Sequence, residues 1–497
     1  MNGVSAKLSG MNIIERVTEI VDASNYWIWL FMIFLLVGSG LYLCWRTAIV
    51  QLRYIPEMFR AITEKPSDIS EGRPGISAFK AFTISAASRV GTGNVAGVAV
   101  AITLGGPGAV FWMWVLAAIG GATSFVESTL AQLYKVRDKD SYRGGPAYYI
   151  VKGLGQKWRF MALLFVIAIT VTYGFVFNAV QANSITAAIA KSTGNDSTNF
   201  KLYVGIGLAV LTALVIFGGV RRIGSVTQIL VPFMAIAYII LGIVVLIVNI
   251  TEVPAMIALI FEHALGIREV AGAAVGAAIL RGMQRGLFSN EAGMGSTPNA
   301  AATASVSHPV KQGLIQTLGV YFDTWVVCTI TAVIILLSDP TFGGDVEGTT
   351  LTQASLAAQL GTWAIHAVTV IIFFLAFSSI VGNYYYAEAN IPFLTNSHAA
   401  LMVVRTLVVL CVIGGALGSV PLVWALADTF SALMATINLL AVVPLAGVAV
   451  ALLKNYAEQK AQGLNPVFHR DDLPQLRGWE NIECWDGSDP MTVRGNR

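Results

Sequence analysis

Two short runs of glycine and polar residues interrupt apolar segments that are otherwise long enough to cross a membrane. The first run is 91–94 (GTGN), and the second is 289–296 (SNEAGMGS). Because water is absent at bilayer depth, a backbone amide or carbonyl group without a partner is costly there. Both runs therefore predict helix breaks in which the free backbone groups bind a polar ligand.

The first break has the composition of a site for a carboxylate. Gly91 and Gly93 allow the helix to unwind, because glycine adopts backbone angles that other residues avoid. The half-helix after the break presents free N–H groups and the positive end of its dipole, which favour a carboxylate. Thr92 and Asn94 add side-chain donors and acceptors.

The second break offers the same groups from the other half of the chain, with Gly293 and Gly295 on either side of Met294. Close helix packing is the alternative for both breaks, since pairs of glycines also let helices approach each other. Asn290 and Glu291 would be costly in a surface that serves packing alone. We therefore prefer the binding interpretation.

The composition places these breaks in a membrane protein. Hydrophobic residues make up 56% of the 497 residues and charged residues only 12%, and the mean hydropathy is +0.69. Apolar segments of about 20 residues suit membrane-spanning helices. The sequence predicts an all-α polytopic protein with about eleven spans, near residues 26–49, 80–104, 108–134, 160–190, 202–219, 224–250, 270–297, 311–338, 360–388, 400–417 and 420–453.

The distribution of lysine and arginine predicts the orientation of these spans. Both residues are frequent after spans one, three, five and seven and in the C-terminal tail, and they are rare in the intervening loops. Short loops rich in Lys and Arg stay cytoplasmic, which places the N-terminus outside and the C-terminus in the cytoplasm. Without span one, each break falls in the first span of a group of five, and the two groups have opposite topology, as in inverted-repeat transporters.

This arrangement divides the chain into three parts. Residues 1–24 are predicted to be an N-terminal extracellular segment, either a short interfacial helix or an extension of the first span. Residues 25–455 form the transmembrane transporter domain, with inverted repeats at about 78–250 and 268–453 after one extra N-terminal helix. Residues 456–497 form a polar cytoplasmic tail without a core of its own.

Other classes of protein are disfavoured. A membrane-embedded enzyme would need a nucleophile–base pair or a metal cluster, and the five histidines lie in no metal-binding motif. A channel would favour a repeated filter or a ring of charges over two dissimilar broken helices. Gly91-x-Gly93-x-x-Ala96 matches a dinucleotide fingerprint, but no strand precedes it. The net charge of +3 does not indicate nucleic-acid binding, and we expect no cofactor.

Longer motifs around the breaks resemble those of a known family. The matching runs are 90–98 (VGTGNVAGV), 105–114 (GGPGAVFWMW), 125–132 (FVESTLAQ), 143–146 (RGGP) and 285–296 (RGLFSNEAGMGS). They are similar to the alanine/glycine:cation symporter family over roughly residues 25–455. The resemblance implies a LeuT-type fold and a prokaryotic plasma-membrane symporter that imports alanine or glycine with Na⁺. Coupling to H⁺ and a glutamine-type substrate are the alternatives.

The resemblance also implies roles for individual residues. Residues 91–93 match the stretch that binds the substrate carboxylate in LeuT-type folds, and Asn94 falls where these folds often place an ion ligand. The carbonyl group of Val90 and the hydroxyl groups of Ser378 and Ser379 match a sodium site between the first and eighth core helices.

Further polar residues lie within predicted spans. Asp323 is expensive to bury, which predicts a role with an ion or a proton, and a structural pair with Arg281 or Arg285 is the alternative. Phe175 and Asn178 are expected to line the pocket, because their span does so in the LeuT-type fold. Contacts between helices are the alternative for these two residues.

Arg89 is a cation within the first break, where it would either repel sodium or pair with Glu127 or Glu291. The full prediction comprises a substrate site and a sodium site, both formed by residues of the membrane-spanning segments. The substrate-binding residues are Gly91, Thr92, Gly93, Phe175, Asn178, Asn290, Gly293 and Gly295, and the sodium ligands are Val90, Asn94, Asp323, Ser378 and Ser379.

Overall fold

The structure, a computed structural model, describes residues 13–64, 76–138, 141–267, 272–340 and 348–488. Helices make up most of these residues. The helices of the first half are α1 (Ile13–Arg46), α2 (Val50–Arg53), α3 (Ile55–Thr63), α4 (Ala78–Arg89), α5 (Val98–Gly105), α6 (Gly108–Leu133), α7 (Pro146–Tyr149), α8 (Arg159–Val171), α9 (Phe177–Thr193), α10 (Thr198–Ile216) and α11 (Gly219–Val248).

The helices of the second half are α12 (Val253–Leu265), α13 (Gly272–Asn290), α14 (Thr297–Ala301), α15 (Pro309–Tyr321), α16 (Thr329–Leu336), α17 (Thr349–Leu360), α18 (Trp363–Leu394), α19 (His398–Leu417) and α20 (Val420–Ala461). π-helical turns at Gly93–Gly97, Ile150–Leu154, Thr172–Val176 and Phe322–Cys328 join several of them, and short 3₁₀ turns lie at Gln156–Trp158, Arg470–Asp472 and Trp479–Asn481. π-helical turns within α-helices are rare and often mark functional sites.

The predicted spans agree with this architecture. Nine helical segments of the described residues are long and apolar enough to cross a membrane, and they coincide with nine of the eleven predicted spans. The other two predicted spans, 80–104 and 270–297, are the ones that contain the predicted breaks. In the structure the first is divided into α4 and α5, and the second into α13 and α14.

Packing places both broken helices inside the bundle. α6 packs against α13 and α15, α4 packs against α11 and α18, and α9 packs against α18 and α19. Helix α1 lies on the outside of this core, against α6 and α20. It runs without interruption from Ile13 to Arg46, so residues 13–24 extend the helix of the first span, and residues 1–12 lie outside the described residues.

Outside the helical bundle the chain forms one small β-ribbon and a docked tail. Strands β1 (Val136–Asp138) and β2 (Ser141–Arg143) pair in antiparallel register. The tail covers this side of the bundle. Trp485 is fully buried and its Nε1 donates to the carbonyl oxygen of Gln132 over 3.0 Å. The described part of the tail, up to residue 488, therefore packs apolar side chains such as Phe468 and Trp485 against the helical bundle.

Candidate substrate and cation site

The first break begins where α4 ends. Val90 leaves helical geometry with φ −81° and ψ 80°. The Gly91 N–H donates to Asn94 Oδ1 over 2.9 Å, and the Thr92 N–H donates to Gln181 Oε1 over 3.1 Å. Two amide side chains thus hold N–H groups that the break has freed, and a ligand carboxylate could replace these neutral acceptors.

The glycines of this break allow two neighbouring helices to approach it. A Cβ atom added at Gly91 would collide with Ser379 Oγ of α18. A Cβ atom added at Gly93 would lie 2.8 Å from Cδ1 of Phe288 in α13, closer than side chains pack. Both positions therefore require glycine for close approach, and the break contacts both halves of the chain.

A buried polar cluster lies on the α13 and α15 side of the break. Asn94 Nδ2 donates to Asp323 Oδ1 over 2.5 Å and lies 3.3 Å from Ser289 Oγ. Ser289 Oγ donates to the other oxygen of the Asp323 carboxylate. We call Asn94, Ser289 and Asp323 the carboxylate cluster. The Asp323 carboxylate and the Ser289 hydroxyl group offer hard oxygen ligands of the kind that hard cations prefer. Asn94 presents its amide nitrogen to them, because its Oδ1 accepts from the Gly91 N–H.

The alternative role predicted for Asp323, a structural pair with a nearby arginine, is wrong. Arg285 instead forms an ion pair with Asp428 of α20, and Arg281 Nη1 donates to Gln284 Oε1 over 3.0 Å. Ser289 is a residue that sequence reasoning did not select. Its position beside Asn290 in the second broken segment was the only signal, and a serine there is not distinctive.

A second polar cluster lies where α18 meets the end of α4. Ser379 Oγ donates to the carbonyl oxygen of Ala87 over 2.8 Å, and Ser378 Oγ lies 3.2 Å from Met234 Sδ of α11. Val90 follows Ala87 by three residues and is buried. We call Val90, Ser378 and Ser379 the hydroxyl cluster. Of the predicted sodium ligands, Asn94 and Asp323 are in direct contact, whereas Ser379 bonds near the end of α4 and Ser378 faces Met234.

The second break has three residues with positive backbone φ angles, and a carboxylate from another helix accepts one of its N–H groups. Glu291, Gly293 and Gly295 have φ values of +57°, +91° and +78°. The Gly293 N–H donates to Glu127 Oε1 over 3.2 Å, and Asn438 Nδ2 donates to the Gly293 carbonyl oxygen over 2.9 Å. Asn438 Nδ2 also donates to Glu127 Oε2 over 2.7 Å. Helices α6 and α20 therefore satisfy the backbone groups that this break frees.

Glu291 and Asn290 connect the second break to its surroundings. The Glu291 carboxylate accepts hydrogen bonds from Ser88 of α4 over 2.9 Å and from Ser296 over 2.6 Å. Asn290 Nδ2 donates to Thr324 Oγ1 over 3.2 Å, and Asn290 Oδ1 accepts from the Ala292 N–H. These contacts link the two broken helices directly through Ser88 and Glu291.

Arg89 does not pair with either carboxylate considered from the sequence. Its guanidinium group donates to Gln316 Oε1 over 2.9 Å and to Ser85 Oγ over 3.1 Å. No carboxylate of the described residues lies within 4.0 Å of its nitrogen atoms. The guanidinium group therefore faces α15 and α4, and the predicted pair with Glu127 or Glu291 is not formed.

Four aromatic residues form a wall beside the first break, which we call the aromatic wall: Tyr173, Phe177, Phe288 and Trp424. Phe177 contacts Phe288 with ring centroids 4.6 Å apart, Phe288 contacts Trp424 at 5.0 Å, and Tyr173 contacts Phe177 at 4.8 Å. Phe175 takes part in none of these contacts. Residues four apart share a helix face, and residues two apart do not. Because Tyr173 and Phe177 share one face, Phe175 lies on a different face of the helix.

Two amides of the same helix also differ in their roles. Asn178 Nδ2 donates to the carbonyl oxygen of Gly174 over 3.1 Å within its own helix, whereas Gln181 reaches the first break at Thr92. The hydroxyl group of Thr92 is buried and has no hydrogen-bond partner among the described residues. Thr92 Oγ1 is thus a polar atom that a bound ligand could satisfy.

Comparison with known sequences identifies relatives of this chain that are described as transporters or carriers. Residues 14–470 match the family model described as the sodium:alanine symporter family. The amino-acid carrier protein AlsT of Bacillus subtilis (strain 168) is 52% identical over 468 residues, which cover 94% of this chain and 97% of AlsT. The probable sodium/glutamine symporter GlnT of the same strain is 46% identical over 480 residues, 96% of this chain and 98% of GlnT.

The comparison with solved structures concerns the fold. The crystal structure of MhsT in complex with L-phenylalanine matches with a TM-score of 0.55 at 14% identity, over 83% of this chain and 96% of MhsT. This likeness confirms the predicted LeuT-type fold. The chain is a multi-pass membrane transporter and not an enzyme, and it belongs to the sodium:alanine symporter family.

Proposed function

We propose that this protein imports a small neutral amino acid, alanine or glycine, together with Na⁺, by alternating access around the two helix breaks. The observation that carries the proposal is the first break, where N–H groups and the Thr92 hydroxyl group are buried beside an aromatic wall. A substrate carboxylate would accept hydrogen bonds from these groups at the positive end of a half-helix. The name of AlsT, an amino-acid carrier protein, supports this substrate class.

The aromatic wall favours a small side chain over a glutamine-type one. Phe288 stands against Gly93, and its ring contacts the rings of Phe177 and Trp424. We infer that these rings limit the length of the substrate side chain beside the carboxylate. Glutamine is the second candidate substrate, because the related GlnT is named a probable sodium/glutamine symporter.

The two polar clusters are our proposed cation sites. The carboxylate cluster would place a negative charge beside Na⁺, whereas the hydroxyl cluster would bind Na⁺ through neutral oxygen atoms. One Na⁺ moving inward gains about 2.3 kcal/mol per 100 mV and about 1.4 kcal/mol for each tenfold gradient. H⁺ coupling is the second candidate, and the buried carboxylate of Asp323 is the observation that favours it.

Uptake of labelled alanine into proteoliposomes tests the function. We expect accumulation that requires an inward Na⁺ gradient and that collapses when a sodium ionophore is added. Unlabelled glycine should compete strongly and unlabelled glutamine weakly. Accumulation driven by a pH gradient in Na⁺-free buffer would contradict sodium coupling, and stronger competition by glutamine than by glycine would contradict the proposed substrate.

We further propose a plasma-membrane location with the N-terminus outside and the C-terminus in the cytoplasm. The test uses single cysteines at Asn195, between α9 and α10, and at Lys157, before α8, with the four native cysteines replaced by serine. An impermeant thiol reagent should label Asn195→Cys in intact cells and Lys157→Cys only after permeabilisation. Labelling of both positions from the same side would contradict the inverted-repeat topology.

A further inference from the structure

A groove of about 510 Å³ opens on the outside of the helical bundle, between α3, α4, α11 and the segment 318–326. Its walls are almost entirely apolar. Its lining residues include Phe59 of α3, Phe79 of α4 and Ile236 of α11, together with Trp325 and Val326, which we call the inner wall. Phe59, Phe79, Ile236 and Val326 are all exposed. In a membrane protein such a surface faces lipid.

The two hydroxyl groups among the lining residues do not make the groove polar. Thr83 Oγ1 donates to the carbonyl oxygen of Lys80 over 2.9 Å, within its own helix. The Tyr321 hydroxyl group is buried against Gly121 of α6, on the far side of the wall. A ligand in this groove therefore meets hydrocarbon surface only.

One end of the groove is basic. Arg60 follows Phe59, and Lys80 follows Phe79 and packs across Gly224 of α11. Arg222 is exposed in the first turn of α11. At a rise of about 1.5 Å per residue, Ile236 lies about 21 Å along the helix from Arg222. On α11 the lining residues begin at Val231, so Arg222 and Lys80 lie beyond the end of the groove from which α11 runs on to Ile236.

Among the described residues, the two carboxylates of α3 and its C-terminal end, Glu57 and Glu64, are already paired. Glu57 Oε2 lies 3.1 Å from Lys460 Nζ and 3.9 Å from Arg60 Nη1. Glu64 accepts from Lys311 Nζ over 2.7 Å. Lys460 neutralises Glu57, and Lys311 neutralises Glu64. The positive charges of Arg60, Lys80 and Arg222 are therefore not cancelled by these two carboxylates.

We propose that this groove binds an acyl chain of an anionic phospholipid, whose headgroup contacts Arg60, Lys80 and Arg222. The apolar walls match the chain, and basic clusters beside membrane helices attract anionic headgroups. The inner wall belongs to the π-helical turn Phe322–Cys328, which also carries Asp323. The bound lipid therefore lies directly behind a helical segment of the carboxylate cluster.

Native mass spectrometry of the full-length protein tests chain binding. The protein is reconstituted in vesicles of equal parts phosphatidylglycerol and phosphatidylcholine and is then extracted in mild detergent. Ile236→Trp fills the groove, and Ile240→Trp, one turn further along α11 and outside the groove, is its control. The two native side chains are 58% and 56% exposed.

We expect the wild type and Ile240→Trp to retain one phosphatidylglycerol per chain. Ile236→Trp should retain at least fivefold less, with an unchanged thermal unfolding midpoint. Equal retention by the two tryptophan variants would overturn the groove as the binding site.

If Ile236→Trp unfolds, variants that remove the basic residues test the proposal through the preference for an anionic headgroup. The double variant Lys80→Gln with Arg222→Gln should lose the preference for phosphatidylglycerol over phosphatidylcholine by at least threefold. Lys454→Gln, which removes an exposed cation from α20, is the control and should keep the preference. An unchanged preference in the double variant would overturn the anionic headgroup.

Discussion

The two helix breaks have similar sequences of glycine and polar residues, yet their backbone groups are satisfied in different ways. At the first break, N–H groups are held by the neutral amides of Asn94 and Gln181. At the second break, the Gly293 N–H is held by the carboxylate of Glu127, and Glu291 is held by Ser88 and Ser296. Hydrogen bonds to charged groups are roughly twice as strong as neutral ones.

This difference indicates a division of roles. Neutral amides are acceptors that a substrate carboxylate can displace, so the first break is suited to respond to ligand. The second break is fixed by two carboxylates and by a strained backbone at Glu291, whose φ of +57° is costly for a residue other than glycine. It is therefore suited to act as a rigid partner against which the first break moves.

The largest expected effect comes from filling the first break. Gly93→Leu should abolish alanine binding, because its side chain would occupy the space between the break and Phe288. Equilibrium binding of labelled alanine to purified protein measures the loss. The control is Gly414→Leu on α19, where an added Cβ meets nothing within 4 Å. A folded Gly93→Leu variant that binds alanine normally would show that the first break serves packing alone.

Removal of the free hydroxyl group should have the next largest effect. Thr92→Ala should weaken alanine binding by about 1.5–3 kcal/mol, the value of a hydrogen bond to a charged group. This corresponds to a rise in the dissociation constant of about 10- to 150-fold. Thr92→Ser keeps the hydroxyl group and should restore most of the affinity. Equal loss in both variants would mean that the methyl group, and not the hydroxyl group, is important.

The hydroxyl cluster separates ion binding from substrate binding. Ser378→Ala combined with Ser379→Ala should raise the half-saturating Na⁺ concentration about 5- to 150-fold, for two lost ligands of about 0.5–1.5 kcal/mol each. Alanine binding at saturating Na⁺ should survive, because neither residue belongs to the first break. Uptake measured across a Na⁺ series gives both values. An unchanged Na⁺ dependence would shift the assignment to the carboxylate cluster.

The second break should affect stability more than affinity. Glu127→Ala leaves the Gly293 N–H without its acceptor, at a cost of about 1–3 kcal/mol for a buried unsatisfied donor. The thermal unfolding midpoint should fall, while the alanine dissociation constant changes less than in Thr92→Ala. Glu127→Gln keeps an acceptor oxygen and should be milder. If Glu127→Ala loses affinity as strongly as Thr92→Ala, the two breaks are not divided in this way.

The smallest effect is expected at the tail, far from both breaks. Partial burial raises the pKa of Asp486, but hydrogen bonds from Ser488 and Arg137 outweigh it and lower that pKa to about 2. A lowered pKa stabilises the docked tail above the ordinary value near 3.8, and this contribution is lost only as the pH falls towards 2. Titration of Asp486 should therefore not change the rate of limited proteolysis of the tail between about pH 5 and pH 8. Asp486→Asn should speed it slightly, because an exposed ion pair contributes little.

The sequence by itself was enough to predict the membrane setting, the nine continuous spans and the two broken ones. These features depend on local composition. A span needs about 20 apolar residues, and glycine beside polar residues is costly at bilayer depth wherever the chain runs. The motifs around Gly91 and Gly293 also led to the correct family and fold, because they are long and their order along the chain is specific.

Only the tertiary structure decided which side chains meet. Asp323 has Asn94 and Ser289 as partners and not Arg285, because the bundle brings Asn94 against residues that follow it by 195 and 229 positions, Ser289 and Asp323. The sequence marks Tyr173, Phe175 and Phe177 as aromatic residues of one span, but only the structure shows that Tyr173 and Phe177 contact each other and that Phe177 contacts Phe288. Partner choice depends on helix rotation and crossing, and these are set by the packing of the whole bundle rather than by any local segment.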